Sequence, residues 1–190
     1  GEEGEILLPQ RYVTKNMHIG DDIEVFIYLD QEERPVATTE HPYAKVGQFA
    51  SLEVAWVNQF GAFLNWGLMK DLFCPFREQK KRMEQGNHYI VYIKVDEDSY
   101  RLMATAKIDK YLEIPTINDL PALTHGTEVD ILIWQKTDLG FKVIVNNRFQ
   151  GQIYENQIFQ PLHSGMRLKA YVDHVRSDGK IDLTLHQSGR

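Results

Sequence analysis

Hydrophobic and polar residues alternate along this chain in short runs, with few stretches at helical spacing. Leu52, Val54 and Trp56 share one side of a run whose other positions are polar or small. That is the period-two mark of a strand with one buried face. Tyr89, Val91, Ile93 and Val95 repeat the pattern, as do Val129, Ile131 and Ile133, and then Leu168, Ala170 and Val172. Residues 60–66 form an aromatic, β-favouring run ended by Gly67, and 72–75 a short strand ended by Pro75. Residues 101–106 and 180–185 predict two more strands. Asn58-Gln59, Asp96-Glu97-Asp98-Ser99 and Ser177-Asp178-Gly179 carry turn chemistry. Asn146-Asn147 predicts a tight hairpin between 141–145 and 148–153. Residues 77–85 read as helix-compatible, with Gly86 as a cap. Residues 108–123, which hold Pro115 and Pro121, read as a short helix or ordered linker.

The pattern is written more than once. Gly47, Gly61 and Gly86 recur as Gly126, Gly140 and Gly165, and Thr105 as Thr184, each shifted by 79 positions. A partial copy stands in front: Gly20-Asp21-Asp22-Ile23 reads like Gly86-Asn87-His88-Tyr89, and Leu7-Leu8-Pro9 like Phe73-Cys74-Pro75, at a shift of 66. The start of that copy would fall roughly 20 residues before Gly1, so the first unit is expected to be incomplete. Five short strands with a helical turn between the third and fourth describe an OB-type barrel. The expected architecture is therefore all-β: tandem five-stranded OB-fold barrels, the first incomplete, joined by short helical linkers. The expected divisions are 1–45, 46–110, a linker 111–125, and 126–190.

Composition narrows the function classes. Hydrophobic residues at 43% and charged residues at 25% suit a soluble globular protein. Cys74 is the single cysteine, which excludes internal disulfides, argues against a cysteine-based metal site and points to a reducing cytoplasm. No apolar run is long enough to cross a bilayer. The net charge of −6 is concentrated at the front, where residues 1–45 carry 4 basic and 10 acidic side chains. Without a global basic field, polyanion binding has to be local. The seven histidines lack metal-ligand spacing, and Asp96-Glu97-Asp98 lacks the spaced loop of a calcium site. No catalytic residue, metal or cofactor is expected.

Phe60-Gly61-Ala62-Phe63 is the sharpest motif. A glycine lets a barrel strand coil tightly, and exposed aromatics on such strands stack nucleobases. The pattern alone leaves two places for the rings, the core or the outer face. Phe26, Tyr92 and Tyr171 fall at one equivalent position in strand four of the three copies and are expected outside the cores, as a patch covered by the adjacent linker or, alternatively, as a binding surface. Arg77, Lys80, Lys81 and Arg82 add a local basic cluster.

The run from Gly47 through Phe60-Gly61-Ala62-Phe63, Gly86 and Val95-Asp96 to Arg101 and Ala104-Thr105 resembles an S1 domain, an RNA-binding barrel. The resemblance implies RNA contacts from Phe60, Phe63, Asp96 and Arg101. It puts Cys74 where that family has a histidine. In the last copy Leu139 and Lys142 replace the two phenylalanines and Lys180 stands for the arginine. This leaves Lys142 and Lys180 as phosphate contacts, or as ordinary solvated lysines. The phrases Gly61-Ala62-Phe63-Leu64-Asn65-Trp66-Gly67, Lys70-Asp71-Leu72-Phe73, 136–145 and Gly4-Glu5-Ile6-Leu7-Leu8-Pro9 resemble the conserved virulence factor B (CvfB/YitL) family. That family implies a bacterial RNA-binding regulator of gene expression, virulence genes included, with three S1-like units and a C-terminal winged-helix domain. The expected partner is single-stranded RNA. The alternative is a protein-interaction scaffold of degenerate S1-like barrels, with protein partners and little RNA affinity.

Overall fold

The computed structural model describes residues 6–29, 34–38 and 40–187. Among the described residues, twelve strands make two closed barrels and one small sheet. β3 (Phe49–Val57), β4 (Gly61–Asn65), β5 (Leu72–Pro75), β6 (His88–Val95) and β7 (Leu102–Thr105) close the first barrel in the order β3-β4-β5-β7-β6. β8 (Glu128–Thr137), β9 (Gly140–Val145), β10 (Phe149–Tyr154), β11 (Arg167–Val175) and β12 (Ile181–Thr184) close the second with the same connectivity. In each, one parallel pairing, β5 with β7 and β10 with β12, seals a sheet that is otherwise antiparallel. This is the five-stranded OB fold.

The alternation set the cores. Leu52, Val54, Leu64, Val91 and Ile93 fill the first barrel, and Val129, Ile131, Ile133, Val143, Val145 and Val172 the second. Asn146 and Asn147 take left-handed φ of 51° and 59°, and Arg148 N–H donates to Val145 O at 2.9 Å, closing the two-residue hairpin. A third apolar cluster lies between the barrels: Phe49, Ile90 and Ile108 meet Leu132, Trp134 and Ile144. Phe49 N–H donates to Asn147 Oδ1 at 2.9 Å, and Arg167 Nη2 donates to Phe49 O at 3.1 Å. The barrels are thus docked on each other.

Two expectations are not borne out. At the front of the chain the described residues close no barrel and form only a small sheet. Among the described residues, β1 (Phe26–Leu29) and β2 (Pro35–Thr38) pair only with each other, with Leu7 bridging to Val36. The small sheet packs on the first barrel instead of closing its own: Phe26 meets Trp66 edge to face, ring centroids 5.6 Å apart. The linkers are not helical. Residues 106–127 hold only the 3-10 turns Asp109–Tyr111 and Leu120–Ala122. Pro121 lacks the N–H that a helix needs, and Asp119 binds the Thr116 N–H and the Arg148 guanidinium. Likewise 77–85 hold only the end of a 3-10 turn, Phe76–Glu78. There the Gln79 amide donates to Cys74 O and accepts from Met83 N–H, so a side chain satisfies backbone groups that a helix would pair.

Candidate nucleic-acid interface

The first barrel carries a row of large side chains on its outer surface. A bulge in β3 between Val54 and Trp56 reverses the alternation and turns Trp56 outward. Register then sets the neighbours across the strands: Trp56 opposite Phe63, Phe63 opposite Phe73, and Phe73 opposite Met103. The Trp56 and Phe63 rings stack at 3.9 Å and 4°, and Phe73 tilts against Phe63 at 5.0 Å. Trp56 Nε1 donates to Asp71 Oδ2 at 3.1 Å, which fixes the indole while leaving the residue 44% exposed.

Phe60 stands beside the row on the β3–β4 turn. Asn58 Oδ1 accepts from Phe60 N–H at 2.8 Å, and Asn58 N–H donates to Gly61 O at 3.0 Å. The turn holds the Phe60 ring in solvent, 64% exposed. Next to it opens a cleft of about 540 Å³ walled by Phe60, Phe63, Phe73 and Tyr28, with Arg77 and Arg101 among its cations. Tyr28 comes from the small front sheet. Asp96 also lines the cleft. Its Oδ2 accepts from Ser99 Oγ at 2.7 Å and Ser99 N–H at 3.2 Å, and Arg77 lies 3.8 Å from its Oδ1. These Ser99 hydrogen bonds, aided by Arg77, hold the carboxyl below its ordinary range.

Of the residues named from sequence, Phe60, Phe63, Asp96 and Arg101 line this one cleft. Lys142 and Lys180 lie on the second barrel and do not line it. Cys74, the counterpart of the family histidine, faces the core opposite Ala62, and burial pushes its thiol up to about 12. The outward residue on β5 is Phe73. Sequence reading missed Trp56, Phe73 and Met103 as one surface. Their alignment comes from the pairing register across four strands, which puts Phe63 and Phe73 on adjacent strands.

The same row in the second barrel is polar: Gln135, Lys142, Gln152 and Asp182, in the same register and after the same kind of bulge. Lys142 Nζ sits 4.1 Å from the Trp134 ring centroid. Burial is the main cause of its lowered pKa, with Lys80 and Lys180 adding to it. Asp182 is nearly buried and accepts from Tyr154 OH at 2.9 Å. No ring stands in this row, so it offers no stacking platform. Trp134 and Phe141 are buried at the junction and in the core. Among the described residues, no cluster of histidine, cysteine or carboxylate side chains could hold a metal ion, and no helix is long and apolar enough to cross a membrane.

Residues 1–40 match the model of the S1 domain family. YitL of Bacillus subtilis is 26% identical over 190 residues, covering 96% of this chain and 62% of its own length. The chain thus spans less than two thirds of that relative. Among solved structures, a multidomain protein with nucleic acid binding domains from Streptococcus pneumoniae is 18% identical, with a TM-score of 0.48 over 96% of this chain and 66% of that one. CSD456 of Drosophila Unr is 13% identical, with a TM-score of 0.26 over 87% and 75%. The resemblance to the CvfB/YitL family read from the sequence is borne out by a homologous match to YitL that runs along nearly the whole chain.

Proposed function

We propose that this chain binds single-stranded RNA without catalysing a reaction on it, and that it does so on the first barrel, as a regulator of gene expression in the bacterial cytoplasm. In this reading 46–110 and 126–190 are the two barrel units, 111–125 connects them, and 1–45 contributes Tyr28 to the cleft wall. The observation that carries the reading is the outward row Trp56–Phe63–Phe73 with the exposed Phe60 ring beside it. Four aromatic side chains on one face of an OB barrel have little folding reason to be there. They suit bases, because every base has a π face. Phe63 stands between Trp56 and Phe73, so bases stack on Phe60 and Trp56, while Arg77 and Arg101 meet phosphates or base edges.

Phe60→Ala removes one platform and is expected to weaken binding of a short single-stranded RNA by about 1–3 kcal/mol. The ring lies outside the core, so the melting midpoint stays in place. Fluorescence anisotropy on Phe60→Ala, Trp56→Ala and the double variant tests this. Affinity unchanged in the double variant, with the fold intact, would falsify the assignment.

The scaffold reading is favoured by the net charge of −6 and the polar row of the second barrel. The two separate on salt: RNA binding weakens as salt rises through counterion release. A scaffold shows no RNA binding even at low salt.

A further inference from the structure

The junction between the barrels carries a second feature that the aromatic cleft does not use. Trp134, 7% exposed, lies in the apolar cluster where the barrels meet. Two ammonium groups from different barrels sit against its ring, Lys142 Nζ at 4.1 Å and Lys80 Nζ at 5.7 Å. Lys80 follows the 3-10 turn Phe76–Glu78, and Arg77 of that turn lines the cleft. Two residues, Glu78 and Gln79, separate Arg77 from Lys80, so their Cα atoms lie no more than about 11 Å apart. Lys180 immediately precedes β12, two positions before Asp182, which the strand register sets in the Lys142 row, and Lys80 reaches the same Trp134 ring as Lys142. The acid beside them is Asp109, 3.2 Å from Lys80. Asp182, in the Lys142 row, is already engaged by Tyr154 OH and Arg176, so three ammonium groups against Asp109 leave a local positive excess on a chain that is acidic overall. The indole face holds Lys142 in place while burial disfavours its charge. Such a site gains from an anion.

We infer that the barrel junction is a phosphate-binding track, Lys80–Lys142–Lys180, that carries a single RNA strand from the Phe60 cleft onto the second barrel. This rests on the reading of the first barrel as the base-binding unit. The second barrel's row has glutamines, a lysine and an aspartate where the first has rings, so it holds backbone and not bases. Its contribution is electrostatic and sequence-independent. Short RNAs that fill only the cleft do not reach it. Longer ones do.

The test uses the whole chain and labelled oligouridylates of about four and about twelve nucleotides, within the span that one or two OB folds cover. Binding is measured across a salt series for wild type, Lys80→Gln/Lys142→Gln/Lys180→Gln, and the corresponding triple Arg variant. Each phosphate contact on a single strand contributes about 0.7 to the slope of log affinity against log salt. The Gln variant is expected to lose about 2 from that slope for the longer RNA and nothing for the shorter. The Arg variant keeps both slopes. If Lys142→Gln disturbs the Trp134 packing, Lys80→Gln/Lys180→Gln still loses about 1.4 for the longer RNA. Equal slopes for wild type and Gln variants, or equal losses at both lengths, overturn the track. If the Trp56/Phe60 double variant binds normally while the lysine variants lose slope, the base site fails and the track stands. If wild type binds neither RNA at low salt, both fall.

Discussion

Alanine at position 140 is expected to unfold the second barrel while sparing the aromatic cleft on the first. Gly140 opens β9 at φ 145°, where the strand crosses the end of β10. A Cβ there would lie 2.1 Å from Ile153 O and 2.9 Å from Glu155 N. Both are backbone atoms, and the Glu155 N–H is fixed by a 2.8 Å bond to Leu139 O, so neither can swing aside. Left-handed strain costs about 1–3 kcal/mol and overpacking about 1–3 more. The sum, about 2–6 kcal/mol, reaches the lower end of the stability of an ordinary domain, about 5–15 kcal/mol. Gly61 is the counterpart in the first barrel, with Cys74 O 2.5 Å and Pro75 Cα 2.8 Å from its missing Cβ. Gly61→Ala is expected to destroy the aromatic row, because β4 carries Phe63 against β5. Thermal unfolding with RNA binding as a second readout separates the pair. Gly140→Ala loses a melting transition and keeps short-RNA binding, and Gly61→Ala loses both. A Gly140→Ala chain that melts like wild type would contradict the crossing geometry.

These two glycines were visible in the sequence as partners at a fixed shift, and so was most of the fold. Strand alternation located the cores because barrel interiors take every second residue. The Asn146-Asn147 pair named its own hairpin, since asparagine tolerates the left-handed conformation that a two-residue turn requires. What alternation could not reach was the site. Trp56 continues the phase of Leu52 and Val54, and only the bulge at Ala55 takes it out of the core. No glycine or proline marks that bulge. The neighbours Trp56, Phe63, Phe73 and Met103 come from four strands, and nothing local to any one of them sets their alignment. Phe73-Cys74 is an apolar pair in a strand buried on one face and row-forming on the other, so its polarity hides which residue points out. The helix expected over 77–85 failed for a related reason: Gln79 bonds the backbone at 74 and 83, which sequence spacing does not reveal.

Glu78 is expected to be the residue on which both segments proposed to contact RNA depend, and acid should expose it. Its side chain is nearly buried, accepting from Lys94 Nζ at 3.1 Å and Thr105 Oγ1 at 2.9 Å, while its backbone carbonyl takes Ala106 N–H at 2.9 Å. Those bonds tie the 3-10 turn to β6 and β7. The same turn holds Arg77 at the cleft, and Lys80 follows it to the junction. Burial alone would raise the Glu78 carboxyl, but the bonds from Lys94 and Thr105 outweigh it and hold the pKa below the ordinary range. A carboxyl with a lowered folded pKa contributes stability that is complete above its unfolded value, about 4.3. That contribution is lost as pH falls through the folded value. Glu78→Ala leaves the Lys94 ammonium and the buried Thr105 hydroxyl without this partner, at a cost of about 3 kcal/mol at neutral pH, where Tyr111 OH still reaches Lys94. Glu78→Gln keeps the shape and removes the titration. Asp96 and Asp119 also carry lowered pKa values, so the diagnostic is the difference between wild type and Glu78→Gln in denaturant unfolding across the acid range. Wild type should lose its advantage over Glu78→Gln as the pH drops below about 4. A difference that stays constant with pH would show that the Lys94 and Thr105 bonds do not depend on the carboxylate charge. Retained salt-sensitive binding of the longer RNA by Glu78→Ala would show that Arg77 and Lys80 find their places without this anchor.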